Sequence, residues 1–273
     1  MALVVKLKNT KTIYGLRAEM TNTVSIVTAI LNSHEVVKRQ LLHYNKLNLP
    51  DSVEVVYVDD GSDPPLAPDV KTNFKFTLLA TNNKKEWTQP AARNLGAKNA
   101  TGDYLILTDI DHIVQQGLID VAGNCKFDVV RFRREVAVID ENGDFTQDWD
   151  VIKSYGFIKN RLKIAPHGNS YIMRKDLYLG LGGVDETYVG TGKYPNREEV
   201  PLKRKLKILR EQGKITIWDD ETKPTIYMIP NGHYCGDKDY NPFGLFHTLT
   251  RSIRASRKRQ RQYGLIGNHT GKE

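Results

Sequence analysis

The chain has 273 residues, 40% of them hydrophobic and 9% aromatic, and a formal net charge of +8. That length can bury one large core, alone or with a small appendage, and the composition excludes disordered and fibrous classes. Cys125 and Cys235, the two cysteines, make no disulfide framework, and no apolar run is long enough to span a bilayer. The first residues alternate charged and apolar side chains, unlike a signal-peptide core, so the expected location is cytoplasmic, with room for peripheral attachment to a membrane.

In chain order, residues 1–22 read as an N-terminal extension with a hairpin around Asn9 and Thr10. A β-branched run predicts a strand over 23–29. Asn32 or Ser33 caps a helix to about Leu47, with Glu35 in its first turn. Strands follow over 53–58 and 74–80. Thr88 caps a helix with Pro90 in its first turn and Gly102 beyond its end, and a strand covers 103–108. This βαβ alternation predicts an α/β fold with a mostly parallel, Rossmann-like central sheet. Ligands of such sheets sit beyond the carboxyl ends of the strands, where Asp59, Asp60, Asp109 and Asp111 fall.

The second half is mixed. Strands are predicted over 127–133 and 135–139, a turn at 141–144 and a strand over 170–173. A glycine-rich loop at 180–192 precedes a helix over 198–211, marked by Leu202, Leu206 and Leu209 with Pro201 in its first turn and Gly213 past its end. Strands over 215–218 and 225–229 precede a basic helix over 243–263. Arg251, Arg254, Arg257, Lys258, Arg259 and Arg261 read either as a solvated face or as a patch for an acidic membrane surface or charged polymer. No aromatic or glycine pattern accompanies them, so nucleic acid is not an expected partner.

Two strands that deliver carboxylates to one sheet edge make a place for a hard cation and a nucleotide. Asp111 is the expected metal ligand, because a cation shared with phosphate oxygens prefers carboxylate. Asp109 would hold the ribose or bind through water. Taken alone, two acids around one apolar residue can also be a polar turn.

The succession Val24-Ser-Ile-Val, Val58-Asp-Asp-Gly-Ser, Ala92-Arg-Asn-Leu-Gly-Ala and Leu107-Thr-Asp-Ile-Asp resembles the GT-A glycosyltransferases, particularly the inverting family 2 with its DxD motif. Further on, Gly182-Gly-Val-Asp-Glu, Val189-Gly-Thr-Gly, Glu198-Glu-Val-Pro-Leu-Lys-Arg-Lys-Leu and His233 followed by Asp237-Lys-Asp-Tyr-Asn-Pro resemble the C-terminal region of the β-1,4-galactosyltransferases. The resemblance implies a metal-dependent, inverting transfer of a hexose or N-acetylhexosamine from a UDP-sugar to a hydroxyl of a glycan or other acceptor. It implies a nucleotide-sugar-binding half over 23–115, an acceptor-binding and catalytic half over 116–247, and a basic tail over 248–273.

By the same resemblance, Asp60 accepts from the uracil ring nitrogen, and Thr28 and Ala29 line the base pocket. Arg93 sits near the diphosphate or braces the loop; its plainer alternative is an ion pair with a nearby carboxylate. His233 completes the metal site with Asp111, a donor set that suits Mn2+ (or Mg2+). Glu199 falls where the family places its base, and Gly192, Tyr194 and Glu198 fall on the acceptor side, with Tyr188 and Trp218 as further stacking surfaces. The chain departs from the pattern in its Glu-Glu pair, in Val200 and Pro201 after it, in the inserted residues 193–197, and in Val189 and Thr191 where the family carries aromatic residues. Two other readings are a non-catalytic carbohydrate-binding protein on a transferase fold and a sugar-nucleotide pyrophosphorylase. The latter needs a glycine-rich phosphate loop after the first strand, and residues 29–34 contain no glycine.

Overall fold

The computed structural model describes residues 20–83, 85, 88–166, 168–189, 199–236 and 241–245, with backbone alone for Tyr188 and His233. Val24–Ile30 (β1) is a run of branched and small residues buried at every position, as a strand covered on both faces must be. Val53–Asp59 (β2), equally buried, pairs with it in parallel, and Lys75–Ala80 (β3) continues in parallel beyond β2. Tyr104–Asp109 (β4) pairs in parallel on the other side of β1. The second half adds His112–Ile113 (β5), Val129–Arg131 (β6), Arg133–Val136 (β7), Val138–Ile139 (β8), Phe145–Thr146 (β9), Lys163–Ile164 (β10), Tyr171–Arg174 (β11), Ile217–Trp218 (β12) and Thr225–Met228 (β13).

The main sheet has seven strands in the order β12-β6-β11-β4-β1-β2-β3. β11 runs antiparallel to both neighbours and the other pairings are parallel, so the expected mostly parallel α/β sheet is present with one reversed strand among those described. β10, β7, β13 and β5 form a smaller sheet, and β8 and β9 form a ribbon.

Helices cover both faces. His34–Leu47 (α1) sets Val37, Leu41 and Tyr44 against Val24, Ile26 and Val55. It ends at Asn48, which takes the left-handed conformation with φ of 49°, a conformation asparagine tolerates better than most residues. Gln89–Asn99 (α2) lies on the opposite face. There Gly96 permits close approach: a β-carbon would stand 2.6 Å from Val27 Cγ1 and 3.0 Å from Val58 Cγ2. Gln116–Gly123 (α3) joins the α1 face, while Val200–Glu211 (α6) packs Leu202 and Leu206 on the α2 side with Leu105, Val129 and Met173. Trp149–Ser154 (α4) and Lys175–Gly180 (α5) are short connectors.

The first-half strands and helices fall within a residue or so of the sequence reading. Both expected caps, however, are spent elsewhere: the Ser33 hydroxyl donates to the Leu31 carbonyl, and neither Ser33 nor Thr88 caps its helix through its side chain. In the second half, the two expected strands over 127–139 divide into β6, β7 and β8. Residues 241–245 form a turn held by Asn241, whose side chain bonds both the N–H and the carbonyl of Leu245. The basic helix therefore does not start at Phe243, and the rest of it lies outside the described residues, as does the N-terminal hairpin.

Candidate active site

The parallel register sets Ile30 beside Asp59 and Ala29 beside Asp109, so β1 ends between two carboxylate-bearing strands. Asp60 follows at once, its N–H bonded to the Ile30 carbonyl at 2.7 Å. Asp59 braces the loop that leaves β2, accepting from the N–H groups of Ser62 at 2.8 Å and Leu66 at 2.9 Å. Asp60 is 5% exposed. Burial pushes its carboxyl up to about 7, against the pull of hydrogen bonds from Thr88 and Thr81. Thr28 and Ala29 lie within the sheet: the Thr28 hydroxyl bonds that of Thr108 at 2.8 Å, and Ala29 packs with Val58 and Ala92.

At the end of β4, Asp109 pairs through Oδ1 with the Arg93 guanidinium and accepts from Gln89 Nε2 at 3.0 Å. Both partners come from α2. Arg93 is 2% exposed and also donates to the Asn169 carbonyl at 2.7 Å. Arg93 thus ties the end of β4 to the segment that leads into β11. Asp111 is fixed from the smaller sheet: its carbonyl accepts from the Ile229 N–H at 2.9 Å, and its Oδ2 accepts from Asn231 Nδ2 at 2.9 Å. The Nδ1 of His112, a buried residue, lies 3.0 Å from Asp111 Oδ1.

Asp109, Asp111 and His112 each offer a ligand atom, and these atoms lie within 4.8 Å of one another. Two carboxylates and an imidazole fit a divalent cation such as manganese better than a soft metal. Sequence reasoning named His233 and passed over His112, although the latter directly follows the acidic pair. The backbone of His233 sits in the 3-10 turn Gly232–Tyr234, two residues after the Asn231 that holds Asp111; its side chain lies outside the described residues.

The other flank of the edge is built by β11 and α6. Because β11 is antiparallel, its first residue, Tyr171, stands at the carboxyl end of the parallel strands. Glu199 occupies the residue before α6 and is 8% exposed. Its Oε1 pairs with Lys203 Nζ at 2.8 Å, and its Oε2 is buried with no hydrogen-bond partner among the described residues. Tyr171 feels the charges of Arg93, Arg131, Glu199 and Asp109, and burial pushes its hydroxyl up to about 12. Gly192, Tyr194 and Glu198 lie outside the described residues. Trp218 stands away from this edge: its ring packs 5.5 Å from that of Phe127, whose carbonyl accepts from Tyr104 at the opposite end of β4.

Residues 25–174 match the family model described as Glycosyl transferase family 2. That match covers the parallel half and β11 and ends before the segment that resembles the galactosyltransferases. No curated protein matches the chain. The structure titled "Mannosyltransferase PcManGT from Pyrobaculum calidifontis in complex with GDP-Man and Mn2+" aligns with 89% of this chain and 61% of its own, at 15% identity and a TM-score of 0.47. TarS from S. aureus aligns with 76% of this chain and 36% of its own, at 16% identity and a TM-score of 0.43. The chain thus spans less than two thirds of either protein.

Proposed function

Because the chain belongs to glycosyl transferase family 2, we propose that it moves a hexose or N-acetylhexosamine from a UDP-sugar to a hydroxyl acceptor, with inversion and with a divalent cation, Mn2+ or Mg2+. The observation that carries this reading is the shared sheet edge: Asp60 and the Asp109–Asp111–His112 cluster lie on either side of β1, and Glu199 stands at the start of α6.

In this reading the half over 23–115 takes the nucleotide. Asp60, buried and free of any close cation among the described residues, accepts from the uracil ring nitrogen beside Thr28 and Ala29. The diphosphate lies toward β4. Asp111 holds the cation, with His112 beside it and His233 from the adjoining turn. A cation bound there neutralises the charge gathering on the departing diphosphate. Arg93 fixes Asp109, which faces the ribose.

The half over 116–247 takes the acceptor. An inverting transfer is a single displacement, so a carboxylate must take the acceptor proton as the new bond forms. Glu199 is the candidate: Lys203 holds its Oε1, and its Oε2 has no hydrogen-bond partner among the described residues, which supports a role in taking that proton. Gly192, Tyr194 and Glu198 complete the acceptor side, and the basic segment over 251–261 gives the chain a hold on an acidic membrane surface. No described helix is long and apolar enough to cross a membrane.

The test is manganese-dependent release of UDP from a panel of UDP-sugars, with and without hydroxyl acceptors. Release only from guanosine or cytidine donors would overturn the uridine assignment, and release from none would overturn the transfer itself.

A further inference from the structure

Charge does not balance around Tyr171. Arg93 is matched by Asp109 and Lys203 by Glu199. Arg131 is matched by nothing comparable among the described residues. It ends β6 directly across from Tyr171, with its guanidinium carbon 5.1 Å above the tyrosine ring. Its one hydrogen bond among the described residues is a long one, 3.5 Å from Nη1 to the Gly168 carbonyl. Asp219, whose charge acts on it, is already held at two oxygens by Arg210, at 2.7 and 3.2 Å.

A desolvated cation costs free energy unless something repays it. Arg131 is half-buried, and burial pulls its guanidinium below its usual value, the direction expected of a cation short of counter-charge. A planar fork of donors stacked on an aromatic ring suits bidentate recognition of a carboxylate or phosphate. The hydroxyl of Tyr171 is also buried with no hydrogen-bond partner among the described residues.

The position says which substrate brings the anion. β6 lies two strands beyond β4 in the sheet, on the side away from β1 and β2, so the backbone that carries Arg131 runs about 10 Å from β4 and further still from β2. Gly168 links it to the candidate base: a β-carbon there would stand 2.2 Å from Lys203 Nζ and 3.8 Å from Glu199 Oε1. We infer that Arg131 and Tyr171 form a subsite for an anionic group, carboxylate or phosphate, carried by the acceptor. This inference rests on the transferase reading above and names the acceptor class within it.

Calorimetry on the full chain tests it, with glucose, glucuronate and glucose 6-phosphate as acceptor probes and UDP with manganese as the donor probe. The charged sugars should bind at least tenfold more tightly than glucose. Arg131→Gln should erase that preference, Arg131→Lys should keep part of it, and inorganic phosphate should compete for the site. UDP affinity should stay within twofold in both variants. Equal binding of charged and neutral sugars by the wild-type chain would overturn the subsite, whatever the variants do. A parallel fall of UDP affinity in Arg131→Gln would assign the arginine to the donor diphosphate instead. A wild-type chain that binds no nucleotide overturns the transferase reading and the acceptor assignment together, whereas nucleotide binding without anion preference overturns the subsite alone.

Discussion

Asp59 and Asp60 are neighbours in sequence and opposites in surroundings. The Asp59 carboxylate is filled by two backbone N–H groups of the loop it starts. Asp60 is buried against threonine hydroxyls, with Thr81 Oγ1 at 3.4 Å, and no cation balances it among the described residues. One acid shapes the loop, and the next is left buried and poised, in the reading proposed above, for a ligand that carries a proton to donate.

That poise gives a pH dependence. Burial raises Asp60 from 3.8 to about 7. Between these values the folded chain holds a proton that the unfolded chain has lost, so stability falls as pH rises through the window, by on the order of 4 kcal/mol in all. Denaturant unfolding at pH 4.5 and 7.5 should show this loss in the wild type and not in Asp60→Asn. UDP affinity should run the other way, weakening by up to tenfold per unit below pH 7, since the ionised carboxylate is the better acceptor. An identical pH response in the two proteins would acquit Asp60 of both effects.

Asp111→Asn should abolish manganese-dependent binding of UDP while the melting temperature holds, because Asn231 still has an oxygen to bond. His112→Ala should weaken manganese by at least tenfold, and His233→Ala should act in the same direction. Calorimetric titration of manganese into each variant separates them. Unchanged affinity in Asp111→Asn would remove that residue from the metal site, and unchanged affinity in His233→Ala would leave His112 as the sole imidazole candidate.

Glu199→Gln should keep manganese and donor affinity near wild type and lose about a hundred- to ten-thousand-fold in turnover. Glu198→Gln should lose far less. Steady-state rates on a productive acceptor decide it: near-normal turnover in Glu199→Gln would move suspicion to Glu198 or Asp185.

Arg93→Met should destabilise the fold by about 3–5 kcal/mol, because it strands Asp109, only 14% exposed at its side chain, without its guanidinium. Urea unfolding at pH 7 measures this. A loss below about 1 kcal/mol would mean that the carboxylate is satisfied without the guanidinium.

The parallel half was legible because β1, β2 and β4 are largely apolar runs of six or seven residues, two of which end in an acid, and because Pro90 and Gly102 bracket α2. The second half was not, since β5 to β10 are two to four residues long and strands so short show no period to read. α3, α4 and α5 escaped for the same reason, having six to eight residues each. Of the site, Asp60, Asp109 and Asp111 could be read from strand ends. The tie between Arg93 and Asp109 was one of two options and needed the helix docked to be seen. His112 was hidden by attention to the acids beside it. Arg131 carried no local signal at all: only the reversed register of β11 sets it across from Tyr171.

Gly96 has a consequence beyond packing. It lies on the helix that carries Gln89 and Arg93, and its missing side chain sets how low that helix rides over the sheet. A methyl group added there would lift the helix by tenths of an ångström and draw both residues away from Asp109. A residue that touches no carboxylate therefore sets how Gln89 and Arg93 meet Asp109.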